Sequence, residues 1–355
     1  MTSPHVQRVL ATLYGDPAPE AELVRLRGDA STRGYFRAHV ARAAPNLPNN
    51  LIVMKLPDDA LRSDEGGQQP AAERLPFLEV AALLESRGLP VPKIYAEDVE
   101  HGVILLEDLG DLTLHEQLAR SGAADRTELY GCAIDLLARL HTACEHLPDQ
   151  SIVARRRFDR SLLDWELDHF RQWGLESLFG KLGPGPTAVL DRAFRAIAER
   201  IEAMPYGFVH RDYQSKNLML RPDGTLALID FQDALIGPRV YDLVALLCDS
   251  YVALDLDLQE SMIDRYAALR RIEPRVLHEE FWWVTLHRKL KDAGRFIFID
   301  RVRRNPDFLR WFPQSLIYVD RALRRSEGME PLRELLGQVI PGFPSAIQEP
   351  ASSME

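Results

Sequence analysis

The sequence predicts an α+β protein with two lobes, a small antiparallel sheet with one helix followed by a large, mainly helical lobe. Before Gly110, short apolar runs alternate with turn-forming segments and include one amphipathic stretch. After Gly110, long stretches with helical periodicity dominate. The predicted division is an N-lobe over 1–106, a hinge over 107–110, a C-lobe over 111–345 and a flexible tail over 346–355.

Local patterns predict the elements of the N-lobe. Phe77, Val80 and Leu84 recur at helical spacing, and Gly88 is a typical helix stop, so we expect a helix over 77–88. The polar, glycine-rich segment 58–73 is expected to be a mobile surface loop. Apolar runs between turn signals predict five strands, at 21–28, 35–42, 51–56, 91–98 and 102–110.

The C-lobe is predicted to be helical around one small strand region. A turn at 221–224, "RPDG", joins the apolar runs "NLML" and "TLALIDF" into a hairpin, and "GFV" reads as a further strand before them. Helices are predicted at 126–143, at 161–178, from about 187 to Met204, and through most of 240–338.

Composition excludes several classes of protein. The net charge of −10 argues against nonspecific nucleic-acid binding, which needs a basic face. No apolar run is long enough to span a bilayer, and the first residues do not resemble a secretion signal. Cys132, Cys144 and Cys248 are widely spaced and form no CxxC pair, as is typical of reduced thiols. We therefore expect a cytoplasmic protein with no nucleic-acid or membrane partner; the oligomeric state is left open.

Three polar residues in the strand region predict catalytic chemistry. Asp212 and Asn217 lie five residues apart in "FVHRDYQSKNLML", and Asp230 ends the next apolar run. Two carboxylates and an amide oxygen form the hard oxygen site that Mg²⁺ prefers, and Mg²⁺ in turn suits nucleotide phosphates. The order is that of a kinase, with Asp212 as the catalytic base and Asn217 and Asp230 as metal ligands. Isolated turn-capping aspartates are the alternative interpretation.

A lysine in the N-lobe has the position of a phosphate-binding cation. Lys55 lies in the apolar run "LIVMKL", where a charged head needs a partner. Glu79 on the predicted helix is the favoured partner, and Glu73 is the alternative. A solvent-facing lysine on an edge strand would have the same sequence pattern.

The turn 28–34, "GDASTRG", lies where a loop over the nucleotide phosphates belongs. Gly28 and Gly34 permit close backbone approach, and the hydroxyls of Ser31 and Thr32 are possible donors to phosphate. The turn fits neither standard glycine-rich motif, so taken alone it is best interpreted as a plain hairpin turn. Together with Lys55 and the predicted metal ligands, binding of phosphate is the favoured interpretation.

The predicted hinge and the short segment after Asp230 indicate which nucleotide and which class of acceptor the protein binds. Backbone groups near Glu107 and Leu109 are expected to face an adenine edge. Only eleven residues separate Asp230 from Asp242, which opens a helix and is expected to anchor the catalytic loop. A protein kinase needs a longer segment there to bind its peptide, so the sequence predicts a small-molecule acceptor.

The whole pattern, HxDxxxxN followed by a DF-type motif and a close "YDL", resembles the aminoglycoside phosphotransferase/choline kinase superfamily, which has a protein-kinase-like fold. Several stretches are most similar to its cell-wall-recycling N-acetylmuramate/N-acetylglucosamine anomeric kinases: "GDASTRGYFR", "LLEDLG", "HRDYQSKNLM", "IDFQDALIGPRVYDLVALL" and "LHRKLKDAGRF". The resemblance implies an enzyme of peptidoglycan recycling that uses ATP and Mg²⁺ to phosphorylate an amino sugar at C1.

Candidate acceptor-binding residues are harder to find. Arg288 and Lys291 are basic and suit the carboxylate of a muramic sugar, although solvated helix charges or surface ion pairs fit equally well. Asp233 suits an acceptor hydroxyl or a structural turn. The stretch 164–173 contributes candidates that suit either a sugar platform or helix packing: Trp165, Glu166, His169 and Trp173.

Two other functions fit the same motifs. The first is a kinase of a different small hydroxyl acceptor, such as an aminoglycoside, choline or another sugar. Cationic acceptors bind in acidic pockets, whereas the segment 287–295 is basic, which argues against them. The second is a nucleotide-binding module without turnover, which usually lacks a catalytic residue. This chain retains all four of Lys55, Asp212, Asn217 and Asp230.

Overall fold

The computed structural model describes residues 3–26, 33–41, 46–57 and 75–344. The predicted loop 58–73 and the predicted tail 346–355 lie outside these residues. The strands are β1 (Ala21–Arg25), β2 (Gly34–Val40), β3 (Asn50–Lys55), β4 (Ile94–Asp98), β5 (Val103–Glu107), β6 (Tyr206–Val209), β7 (Leu218–Leu220), β8 (Leu226–Leu228) and β9 (Leu235–Pro238).

Helices make up most of the remaining described chain. They are α1 (Pro4–Tyr14), α2 (Pro76–Ser86), α3 (Leu114–Arg120), α4 (Ala123–Ala143), α5 (Ile152–Arg155), α6 (Arg160–His169), α7 (Ser177–Phe179), α8 (Pro184–Glu202), α9 (Tyr241–Leu247), α10 (Leu256–Arg270), α11 (Pro274–Arg303), α12 (Phe312–Leu323) and α13 (Glu330–Val339). A π-helix, Phe170–Glu176, joins α6 to α7, and short 3₁₀ turns cover Val99–His101, Ser215–Asn217 and Pro306–Trp311. The predicted α+β class, a small antiparallel sheet with a mainly helical remainder, is confirmed.

Described residues group into two compact units. The first contains Met1–Leu114 and Asn217–Asp233, and the second contains His115–Lys216 and Ala234–Glu355. The hairpin β7–β8 belongs with the first unit because the Leu228 amide donates to the Pro90 carbonyl at 2.7 Å and the Leu220 amide to the Leu112 carbonyl at 2.8 Å.

The first unit is built on a five-stranded antiparallel sheet in the order β1-β2-β3-β5-β4. All five predicted strands form, with ends shifted by a few residues. β3, which ends at Lys55, is the central strand of the sheet. The alternative of an edge-strand lysine is therefore wrong.

Helix α1 was not predicted, although its start and stop signals are present. The Ser3 hydroxyl accepts from the Val6 amide, Pro4 occupies the first turn, and Gly15 ends the helix with φ +93°. Val6, Val9 and Leu10 are buried in the core that one face of the sheet forms. The helix covers a sheet face that would otherwise be exposed.

The second unit is helical around the two-stranded β6–β9 ladder. The predicted helix 161–178 is one continuous path of α6, the π-helix and α7. Gly174 permits the wide π turn, because a Cβ there would lie 2.4 Å from the Phe170 ring. Within the described ranges, no helix has the length and apolar character that crossing a bilayer requires.

Candidate active site

In the second unit, Asp242 holds the backbone of the predicted catalytic loop. Its buried carboxylate accepts from the amides of His210 at 2.7 Å and Arg211 at 2.9 Å. These two charge-assisted bonds fix the residues that directly precede Asp212. The predicted anchoring role of Asp242 is confirmed.

Two further residues support Asp242, and the sequence analysis did not find them. His141 Nε2 lies 3.1 Å from the Asp242 carboxylate, and His141 Nδ1 lies 2.5 Å from the Tyr266 hydroxyl. Both side chains are buried, and burial raises the pKa of Tyr266 well above its usual value. The only sequence signal was a polar histidine on the apolar stripe of α4.

Arg211 connects the loop to two helices. Its backbone has φ +79°, in the left-handed region that disfavours a side chain, so the surrounding contacts must hold it there. Its guanidinium lies 3.3 Å from Glu166 of α6, and its carbonyl accepts from Nη1 of Arg288 of α11 at 2.8 Å. Strain of this kind is typical of functional segments.

Arg288 also lies beside the predicted catalytic base. Its Nη2 is 3.6 Å from Oδ1 of Asp212, and its guanidinium packs 4.8 Å from the centre of the Tyr241 ring. Burial alone would lower the pKa of Arg288, but Tyr241, Asp292, Asp212 and Asp242 outweigh it and raise that pKa well above its usual value. Arg288 is therefore a permanent positive charge next to Asp212, whose side chain remains 23% exposed.

The structure changes the interpretation of three predicted acceptor residues. Arg288 and Lys291 are both buried, so the alternative of solvated helix charges is wrong. Lys291 lies 3.8 Å from Asp292. Glu166 is completely buried and lies 3.7 Å from His287 in addition to its contact with Arg211. These positions favour support of the catalytic loop for Arg288 and Glu166, and a direct contact of any of the three with acceptor stays a prediction.

In the first unit, the β7–β8 hairpin brings Asn217 and Asp230 to one end. The Ile229 amide donates to the Asn217 carbonyl at 3.1 Å, one residue before Asp230. Asp230 has φ +63°, a second left-handed non-glycine residue, and its carboxylate is 42% exposed. The Gln232 amide nitrogen lies 2.8 Å from Asp230 Oδ1 and 3.2 Å from Asp233 Oδ2.

Asp230 and Asn217 fit a magnesium ion by their chemistry. Both offer hard oxygen ligands at the same hairpin end, and the exposed Asp230 carboxylate has room for an ion. Sequence reasoning missed Arg33, whose guanidinium lies 4.0 Å from Asp230 and is largely buried. Its signal was a basic residue inside the glycine-flanked turn 28–34, next to Gly34.

Predicted nucleotide residues lie in the same unit where the structure describes them. The Lys55 ammonium lies 5.2 Å over the Phe36 ring, and Gly34 pairs with Lys55 across β2 and β3. Glu79 is in the first turn of α2, and its pairing with Lys55 stays a prediction. The other members of the predicted site fall outside the described residues: Gly28, Ser31, Thr32 and the alternative partner Glu73.

The predicted hinge is fixed by an arginine of the sheet. Arg37 donates two hydrogen bonds to Asp108, at 2.7 and 2.9 Å, and pairs with Asp111. Its bonds to Asp108 and Asp111 raise the pKa of Arg37. The Glu107 amide already donates to the Lys93 carbonyl at 2.8 Å, so only other backbone groups near Glu107 and Leu109 can meet a base edge.

Comparison with known proteins identifies the family. The sequence model of the "Phosphotransferase enzyme family" matches residues 22–279. The chain belongs to this family. The recognition made from the motifs and the prediction of a phosphotransferase are both confirmed.

Similar proteins cover nearly the full chain. An N-acetylmuramate/N-acetylglucosamine kinase of Pseudomonas aeruginosa is 32% identical, over 91% of this chain and 90% of its own. A protein of Pseudomonas putida with the same name is 27% identical, with the same coverage. An amicoumacin kinase in complex with AMP-PNP and Ca²⁺ aligns with a TM-score of 0.60 at 13% identity, covering 94% of this chain and 97% of its own. This likeness confirms the predicted kinase-like fold.

Proposed function

We propose that this phosphotransferase uses ATP and Mg²⁺ to phosphorylate the anomeric C1 hydroxyl of N-acetylmuramate, N-acetylglucosamine or both. The observation that carries the proposal is the match, over about nine-tenths of both chains, to relatives named for these two sugars. The braced Asp212 loop supports the reaction type, because phosphoryl transfer depends on positioning and electrostatics.

Asp212 is proposed to accept the proton of the acceptor hydroxyl. Its carboxylate is partly exposed, so an acceptor can reach it, while the Asp242 bonds and Arg288 hold the loop beneath it. Asn217 and Asp230 are proposed to hold Mg²⁺, which when bound neutralises phosphate charge. Lys55 and the turn 28–34 are proposed to bind the nucleotide phosphates.

The direct test is incubation with ATP, Mg²⁺ and each sugar, followed by phosphorus NMR of the products. We expect an acid-labile sugar 1-phosphate from at least one amino sugar. A panel with choline, aminoglycosides and other sugars runs beside it, and turnover confined to one of those acceptors would replace the proposal.

Asp212→Asn tests the base. The expected loss in kcat is about 10²–10⁴-fold with unchanged nucleotide binding, because the change removes the proton acceptor but little volume. A wild-type rate in this variant would refute the assignment. A chain that binds ATP but turns over no acceptor of the panel would point to a non-catalytic module.

A further inference from the structure

Three aromatic side chains form a stripe along α6 and the π-helix. The rings of Trp165 and His169 stack with centroids 5.5 Å apart, and those of His169 and Trp173 lie 6.4 Å apart. Phe298 of α11 lies 5.3 Å from both His169 and Trp173. Trp165 is 42% exposed, and Trp173 and Phe298 are half-buried. These four residues form the aromatic stripe. Trp165, Trp173 and Phe298 present ring surface to solvent, whereas His169 is buried and packs against all three.

A positive charge lies at the edge of the stripe. The Arg295 guanidinium is 5.3 Å from the centre of the Phe298 ring, and the side chain is half-buried. An arginine on an aromatic ring is preorganised, and its planar donors match a carboxylate in bidentate geometry. Aromatic rings beside such a donor suit a ligand with an apolar C–H face and a carboxylate.

The backbone brings the two helices of the stripe unusually close. A Cβ on Gly294 would lie 2.8 Å from the Phe170 Cα and 2.9 Å from the His169 carbonyl oxygen, so only glycine fits without a shift. Phe170 begins the π-helix, a form that is frequently found at functional sites. The close approach sets Phe298 against His169 and Trp173.

The same two helices hold the catalytic loop. Glu166, next to Trp165 in α6, contacts Arg211, and Arg288 of α11 binds the Arg211 carbonyl. Arg295 follows Arg288 by seven residues, which is about 10 Å along the helix axis. The stripe is thus continuous with the elements that position Asp212, at a separation on the scale of one substituted sugar ring.

We propose that the aromatic stripe, with Arg295, is the acceptor-binding surface and that it takes an amino sugar bearing a carboxylate. This inference rests on the proposed function and adds the residues that choose the acceptor. The rings of Trp165 and Trp173 stack on the apolar face of the sugar. Arg295 pairs with the carboxylate of N-acetylmuramate, which N-acetylglucosamine lacks, so the neutral sugar uses the rings alone.

Steady-state kinetics with both sugars test each part. Arg295→Gln should raise KM for N-acetylmuramate about 10-fold or more, the value of a charge-assisted hydrogen bond, and leave KM for N-acetylglucosamine within about twofold. Trp165→Ala should raise KM for both sugars, with KM for ATP unchanged. Matched controls are Arg301→Gln, exposed on the same helix, and Phe179→Ala, exposed at the end of the same helical path.

Some outcomes overturn the inference. If Arg295→Gln raises both sugar KM values equally, or neither, the carboxylate assignment fails. If Trp165→Ala behaves like Phe179→Ala, the stripe is not the acceptor surface. Circular dichroism of each variant establishes that a raised KM does not come from misfolding.

Tryptophan fluorescence separates this inference from the proposed reaction. Titration of the wild type with N-acetylmuramate should change the emission, and Trp165→Phe should reduce that change. If N-acetylmuramate changes the emission, Trp165→Phe reduces that change and neither sugar is phosphorylated, the acceptor-binding surface is supported and the proposed function is wrong. If the sugars are phosphorylated and Trp165→Phe leaves the emission change intact, the assigned surface is wrong and the proposed function is supported. If neither sugar binds, both the surface and the function are wrong.

Discussion

Arg288 offers the sharpest test of the site, because sequence and structure give it different roles. As an acceptor ligand it would contact the sugar. In the structure it is buried, donates to the Arg211 carbonyl at 2.8 Å and lies 3.6 Å from Asp212. Arg288→Met keeps an unbranched apolar stem and removes the guanidinium, and with it both contacts.

The contacts set the expected magnitude. A hydrogen bond from a charged donor contributes about 1.5–3 kcal/mol. An ion pair at this distance has a Coulomb energy of about 4–5 kcal/mol at an effective dielectric constant near 20, much of it offset by desolvation. Removing one partner of a fully buried pair costs about 3–5 kcal/mol, and the partly exposed Asp212 places this pair at or below the lower end of that range. Because the contacts fix Arg211 and Asp212, we expect kcat to fall by about 100-fold or more, equally for both sugars.

The assay is ADP release with each sugar, together with urea unfolding of the variant. Arg288→Lys should restore part of kcat, because a lysine keeps the charge but not the planar donors. Arg275→Met, an exposed arginine in the first turn of α11, is the matched control and should change neither quantity. If Arg288→Met has wild-type kcat and a raised KM for N-acetylmuramate alone, Arg288 does not support the catalytic loop and binds the acceptor instead.

Three further predictions concern one residue of α9 and two residues of α11. Asp242→Asn replaces an oxygen that accepts a backbone N–H with an amide donor, so urea unfolding should show a loss of about 3 kcal/mol, and ADP release should show a fall in kcat. Burial alone would raise the pKa of Asp292, but Lys289, Arg288 and Lys291 lower it to about 2. The folded pKa is therefore below the unfolded one, and this carboxylate contributes about 2 kcal/mol that is present above pH 4 and lost as pH falls towards 2. Asp292→Asn should thus be less stable than the wild type at pH 7, and the gap should narrow by about half at pH 3; an equal gap at both values would contradict the reasoning. Gly294→Ala forces a Cβ against the backbone of His169 and Phe170 and should lower the free energy of unfolding by about 1–3 kcal/mol. It should also raise KM for sugar more than KM for ATP. Wild-type values of both quantities would show that the two helices can separate freely.

Local patterns were sufficient for much of the fold. The five strands of the sheet, the β7–β8 hairpin and the long helices all follow from periodicity and turn residues, which act within a few positions along the chain. Helix α1 was missed although Ser3, Pro4 and Gly15 signalled it. The π-helix was missed because it depends on how Phe170 and Gly174 pack and not on spacing.

The sequence by itself determined the family and the order of Asp212, Asn217 and Asp230, because a catalytic motif lies on a short continuous segment with fixed spacing. It did not distinguish Arg288 from Arg275, which are arginines on one helix. Only the tertiary structure decided that one braces the catalytic loop and the other faces solvent. It also decided that Trp165 is exposed while Glu166 beside it is buried. The physical reason is that burial and charge pairing depend on which helix faces meet, and those contacts join residues far apart in the chain.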